Sequence, residues 1–580
     1  MADKFQEHLS KGRDLYNAGR YSEAEVEFTH ALGIDPNNAH THNELGRIAL
    51  IYNRYDEAEA FFRKAAELAP QEHTYHYNIG VAVIDRGKYR ESIEYFRKAI
   101  ELNPKSPNAY TNWGRALYNL KKYSEAIEKY RKATEIDSAY ALGFNKWGDV
   151  LFEQNKLPEA FEKYQKAIEI DPLTGEFKKW IKTLEFLKPG NKQLAIEKVE
   201  RIIAADRNNH SAYITWGNAL YDEKNYEGAL DKYRKAAEMN PEFSIAYNNW
   251  GLALYKLRKY PEAIEQYRKA IELQPDNIEA YNNCGLAYHY ARNYENAIEY
   301  YKKTIELNSN YVHAYNNWGD TLYDLNNFAE AVEKYSRGIE IDPNAGNFGK
   351  WVLALEKLSG EEQQRAVEQV ENILADKPEY ANAYNNWGNA FFDMKKYDEA
   401  IVKYRKATEL NPSFFIAYTN WGLALHNQKY YPEAIELYRR ATEINSDYAI
   451  AFYNWGIALG DLFRFDEAIE KFQQAIDRDP DYAYAYHNIA SYVWSQGKYE
   501  AGRKRWENAG EVYERTKQKA IDDNNADHFF YYGNIVSEIL GDFEGAEKIY
   551  NEGLAINENH IDILTSLVKL NIDKVEEEIV

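Results

Sequence analysis

An all-α solenoid of about sixteen helix–turn–helix units, closed by a C-terminal capping helix, is the fold this sequence predicts. Three observations predict it. Glycines stand 34 residues apart: Gly12, Gly46, Gly80, Gly114 and Gly148, then Gly217, Gly251, Gly285 and Gly319, then Gly388, Gly422 and Gly456. Twelve residues after each comes a small residue, usually Ala (Ala24, Ala58, Ala126, Ala160), and four later an aromatic (Phe28, Phe62, Tyr130, Tyr164). All 15 prolines fall at the boundaries this period implies. Self-similarity at a fixed spacing of this size marks a repeat array, in which each unit buries its apolar face only against its neighbours.

Within a unit, apolar and aromatic positions three and four apart make two amphipathic helices. The small residues let the two helices approach, and the aromatics fill the space between pairs. Ten prolines, among them Pro36, Pro70, Pro104, Pro241 and Pro412, end second helices that they cannot continue. Pro107, Pro158, Pro261 and Pro432 sit in first turns, where a missing N–H costs nothing. Near the end of the chain, Arg515 to Asn525 reads as a helix extension followed by a loop. Ile561 to Val575 reads as the capping helix.

A longer period overlies the first. Units 176–209 and 347–380 lack the first-helix glycine, carry Val199 and Val370 in place of the usual aromatic, and follow an extra glycine (Gly175, Gly346). They lie 171 residues apart, five repeats plus one residue, and share 13 of 34 aligned positions. The chain therefore divides into blocks 5–175, 176–346 and 347–517, each of five repeats, and a terminal unit with its cap, 518–580. The atypical units are expected to be either degenerate copies or joints in the array.

Composition excludes several function classes. A net charge of −21 opposes binding to duplex nucleic acid or an anionic membrane. No apolar run approaches the length of a membrane span, and Met1-Ala2-Asp3-Lys4 opens no signal peptide. One cysteine permits no intramolecular disulfide, so a cytoplasmic location is expected. There is no phosphate loop, nucleophile elbow or HExxH motif. The 13 histidines form only two close sequence pairs, His40/His42 and His73/His76, without the context of a metal site. Cys284 stands in a slot that holds Trp in eight other units, which makes it a core thiol. The expectation is a protein that is no enzyme and has no cofactor or metal.

The motif W/Y-x-x-L/W-G-x-x-Y/L…A-x-x-x-Y/F-x-x-A…P at 34-residue spacing resembles the tetratricopeptide repeat over nearly the whole chain. The array is also similar to the long repeat superhelix of the O-linked N-acetylglucosamine transferases, here without a catalytic domain. The resemblance implies a right-handed superhelix whose first helices line a concave groove with positions 2, 5, 6, 9, 12 and 13 of each unit. It also implies a protein-binding role. The clamp by which some family members grip acidic chaperone tails is matched only singly, by Asn78, Asn112 and Arg115.

Position 6 holds Asn78, Asn112, Asn249, Asn283, Asn317, Asn386, Asn420, Asn454 and Asn488. Asparagine is a poor helix former, so its recurrence calls for another reason. Its amide both donates and accepts, and so can pair with the backbone of an extended peptide of any sequence. The groove positions of the first block mix Arg47, Arg115 and Lys146 with Glu44, Asp85 and Asp149, whereas Asp222, Asp320, Asp324, Asp393 and Asp461 dominate later. The expected function is a scaffold that holds an extended polar or basic polypeptide segment in the groove. The alternative is a structural protein that self-associates through convex or terminal surfaces.

Overall fold

The 3.6-residue periodicity becomes paired helices throughout. The structure, a computed structural model, describes residues 2–375 and 377–579. The chain forms two compact units, Met1–Asn293 and Tyr294–Val580. The first holds eight helix pairs, from Ala2–Asn17 with Tyr21–Ile34 to Ser244–Lys256 with Tyr260–Leu273, followed by helix Ile278–Tyr290. The second opens on helix Tyr294–Leu307 and continues through seven pairs, from Val312–Asp324 with Phe328–Ile341 to Ala526–Asn534 with Phe543–Ile556. It ends on helix Ile561–Ile579. No strand occurs among the described residues. The all-α helix–turn–helix repeat is the predicted one.

The turn within each pair has a local cause. Asn53 takes a left-handed backbone (φ 57°), and the Arg54 N–H reaches back to the Ala49 carbonyl at 2.8 Å, closing the preceding helix. The same left-handed position recurs at Lys121, Asn155, Lys224 and Arg258, and at Gly19 and Gly87. Between pairs, an Asn or Asp just after the second helix accepts the backbone N–H two residues on, as Asp35 does from Asn37 and Asn411 from Ser413.

The 34-residue glycines answer to a close approach. A Cβ on Gly388 would lie 2.5 Å from Cε1 of Tyr404, the aromatic of the partner helix, so only glycine lets that ring seat. The rings Tyr164, Tyr233, Tyr335, Tyr404 and Tyr438 are all buried, each beside its small partners in the core.

The two atypical units depart from this plan in the same way. Their first helices, Phe177–Leu184 and Phe348–Leu355, are 8 residues long, against 13 for Ser244–Lys256. In place of the usual ring each packs a tryptophan edge-on against that of the next repeat. The centroids are 5.3 Å apart for Trp180–Trp216 and 5.2 Å for Trp351–Trp387. Phe177 and Phe348 stack on Trp216 and Trp387, at 5.5 and 5.8 Å. The indole N–H groups of Trp180 and Trp351 each find an acceptor fifteen residues earlier: Trp180 Nε1 donates to Gln165 at 2.9 Å, Trp351 Nε1 to Ser336 at 3.0 Å.

The C-terminal repeats are also irregular. Helix Tyr499–Asp522 runs for 24 residues, the extension the sequence implies. Helix Ala526–Asn534 passes into a π-helical turn, Ile535–Ile539, which the repeat pattern does not foretell.

Candidate functional site

Each position-6 asparagine named from the sequence is half-buried on a first helix. In the first unit, Asn78 Nδ2 donates to Asn43 Oδ1 of the preceding repeat at 2.7 Å. Asn112 Nδ2 donates to the Tyr77 hydroxyl at 2.9 Å. Asn249 reaches Asn218 at 3.2 Å and Asn283 reaches Asn248 at 3.4 Å. In the second unit, Asn420 Nδ2 donates to both Asn385 (3.0 Å) and Asn389 (3.2 Å), and Asn488 donates to the Tyr453 hydroxyl at 3.1 Å. The acceptor lies 35 or 31 residues back, at position 5 or 9 of the repeat before. These six asparagines are therefore fasteners between neighbouring repeats, and packing does ask for them.

Two members differ. Asn386 and Asn454 occupy the same position and are half-buried, yet their amides make no hydrogen bond among the described residues. Asn317 is engaged. The row thus contains latched amides and uncommitted ones, a distinction invisible in a sequence that writes all of them as Asn.

The charges rearrange similarly. Those of the first block pair with each other: Arg47 with Glu44 at 2.8 Å, Arg115 with Asp85 at 2.6 Å, Lys146 with Asp149 at 3.0 Å. Asp149 is a hub, holding also Lys179 at 2.6 Å and the Tyr164 hydroxyl at 3.1 Å. Among the later acids, Asp222 binds Lys178 at 3.1 Å and Asp461 binds His426 at 2.7 Å.

Asp320 accepts the Tyr335 hydroxyl at 2.6 Å. The same lock joins Tyr233 to Asn218 at 2.8 Å and Tyr404 to Asn389 at 2.9 Å, so position 9 holds the buried phenol of its own repeat. Burial, with Asp320 next in effect, pushes the Tyr335 phenol well above its usual pKa and keeps it a donor. Asp324 and Asp393 are exposed, and Asp393 has neither an ion pair nor a hydrogen bond among the described residues. The acidic surplus available to a partner is accordingly smaller than the residue count implies, because tertiary contacts consume it.

The fold also assembles residues that the sequence leaves apart. His8, Glu27 and His30 come together in the first helix pair, with one ligand atom of each lying within 4.8 Å of the others. His8 stands 19 residues before Glu27, so pairwise spacing does not reveal the group. No helix of the described residues is long and apolar enough to cross a membrane.

Family models match along both units. The one described as a TPR repeat matches residues 148–173, 217–258, 251–290, 388–429 and 427–462. Others, described as tetratricopeptide repeat, match 9–73, 77–141 and 453–524, then 278–311, then 312–345. The atypical units 176–209 and 347–380 fall outside these matches. No curated protein matches the chain.

Among solved structures, the chain is similar to Naa15/Naa10 bound to HypK-THB, at 12% identity over 98% of this chain and 96% of that one, with a TM-score of 0.43. It is similar to YrrB, a TPR protein with an unusual peptide-binding site, at 23% identity over 38% and 96% of the two chains, TM-score 0.24. A third likeness is to the APC/C hetero-tetramer Cut9–Hcn1, at 14% identity over 96% and 95%, TM-score 0.29.

Proposed function

We propose, for a chain that belongs to the tetratricopeptide repeat family, a protein–protein interaction scaffold that holds an extended polar polypeptide along its row of first-helix asparagines. One observation supports this above the others: Asn386 and Asn454 keep the ladder position although no neighbouring repeat uses their amides. Each offers a donor and an acceptor at a half-buried site, the complement of one peptide unit. The latched members, such as Asn420, serve the same surface indirectly by holding its spacing. Asp393, exposed and unpaired, favours a basic side chain beside Asn386.

The test is a display library of unstructured peptides selected on the full chain, followed by Asn386→Ala with Asn454→Ala. Each lost neutral hydrogen bond costs about 1 kcal/mol, so the pair weakens the selected peptides by about tenfold or more while leaving repeat stability unchanged. Selected peptides that bind the double variant at full strength refute the reading.

The atypical units support a second proposal, that blocks 5–175, 176–346 and 347–517 and the terminal 518–580 are the structural periods of the array. Both begin on an 8-residue helix with the same Phe–Trp–Trp cluster, which the regular repeats replace with a Gly–Tyr contact.

Self-association is the other reading, and the last helix favours it. Ile561, Leu564 and Val568 form an exposed apolar stripe at helical spacing. Light scattering of wild type and of Val568→Lys with Leu564→Lys separates the two: a concentration-dependent oligomer abolished by the variant supports assembly through this end.

A further inference from the structure

In the first helix pair the repeat grammar is replaced by another chemistry. A regular unit such as 107–140 places Tyr110, Trp113, Lys129 and Lys132 at positions 4, 7, 23 and 26, with the Lys129 ammonium over the Trp113 ring at 4.4 Å. The first unit places His8, Lys11, Glu27 and His30 in those slots. Nothing in the packing of a helix pair calls for two imidazoles facing a carboxylate.

Their geometry is that of a ligand set. Glu27 and His30 lie three apart on helix Tyr21–Ile34, which puts both on one face, and His8 meets them from helix Ala2–Asn17. His8 Nδ1 lies 2.7 Å from Glu27 Oε2. The Glu27 side chain is only 11% exposed, so the carboxylate is held rather than solvated. The two imidazole centroids are 5.2 Å apart, with the rings inclined by 66°. Two imidazoles on one tetrahedral ion, with metal–nitrogen bonds of ~2.0–2.1 Å, stand about 5 Å apart between ring centres.

We propose that His8, Glu27 and His30 bind a divalent transition ion of the zinc class, with water as the fourth ligand. Two neutral imidazoles and a carboxylate suit such an ion and not the hard, all-oxygen preference of calcium or magnesium. Lys11 is the competitor. Its ammonium lies 2.6 Å from Glu27 Oε1, and this contact, then that of His8, keeps the carboxyl below its usual pKa. The Lys11 side chain is 62% exposed and swings into solvent when an ion takes its place. The bound ion would clamp the first helix to the second and stiffen the first repeat.

The experiment titrates the full chain with Zn²⁺ alone, by calorimetry against a competing chelator. Co²⁺ absorption serves as the readout of four-coordinate geometry, and hydrogen exchange over residues 2–34 reads the clamping. The expected result is one equivalent bound, slower exchange in the first helix pair, and affinity falling about tenfold or more in H30A and E27Q. Because Lys11 competes, K11M binds more tightly than wild type. His30 is exposed, so H30A folds, and far-ultraviolet dichroism checks each variant. No stoichiometric binding by the wild type, or binding by H30A or H8A as tight as that of the wild type, overturns the proposal.

Discussion

Asn420→Ala isolates the fastening of one repeat to the next. The Asn420 amide donates to Asn385 and to Asn389, at 3.0 and 3.2 Å, and both bonds vanish in the variant. Asn389 keeps the Tyr404 hydroxyl at 2.9 Å, so its oxygen is not orphaned. Asn385 is only 4% exposed and has no such second donor to its oxygen among the described residues. Two neutral bonds at roughly 0.5–1.5 kcal/mol each put the loss at about 2 kcal/mol, within a range of roughly 1–3.

Long repeat arrays do not unfold as one two-state unit, so a global melt would blur this effect. Native-state hydrogen exchange reads the local opening instead. A loss of about 2 kcal/mol accelerates exchange of the protected amides in helix Phe415–Asn427 by about 30-fold. A double-mutant cycle with Asn385→Ala assigns the effect to the pair, with a coupling of about 0.5 kcal/mol or more expected. Asn386→Ala, which breaks no such bond, serves as the control. Exchange in Asn420→Ala within twofold of wild type, or strict additivity in the cycle, refutes the fastener reading.

Two further outcomes follow from buried and strained groups. His487 sits among Trp506, Tyr531 and Tyr513, with ring centroids 4.6, 4.9 and 6.3 Å away, and burial pulls its pKa down to about 4. Its folded pKa lies below the unfolded value, so the stability it carries is present above about pH 6.5 and lost as pH falls toward 4. The loss reaches about 3 kcal/mol, read as faster exchange in helix Ala483–Ser495, and His487→Phe removes that pH dependence. Phe463 holds a left-handed backbone (φ 60°) while 80% exposed, a costly conformation for a side chain that buries little. Phe463→Asn therefore stabilises its repeat by about 1 kcal/mol in the same assay, and a loss of stability would count against strain at this turn.

The repeat is legible along the chain. Spacing of 34 between Gly and Gly, with a fixed offset to Ala and to Phe or Tyr, has one physical solution: paired helices in close contact, each burying its face on the next. That solution is local, because Gly388 and Tyr404 meet within one unit, and so it can be read from neighbours along the chain. Even the departures, 176–209 and 347–380, were legible as departures, since a missing glycine means that the ring beside it must go elsewhere.

Which polar side chains are spoken for emerges only once the helices pack. Asn420 and Asn386 are the same letter at the same repeat position, but one spends its amide on the repeat before it and the other does not. Asp320 and Asp393 read alike as groove acids, yet the first accepts a buried phenol and the second stands in solvent. His8, Glu27 and His30 converge only because two helices fold back on each other. Hydrophobic burial follows periodicity and is written into the chain as pattern. Hydrogen bonds and ligand sets depend on distances of about 3 Å between atoms from separate helices, and no spacing along a sequence specifies those.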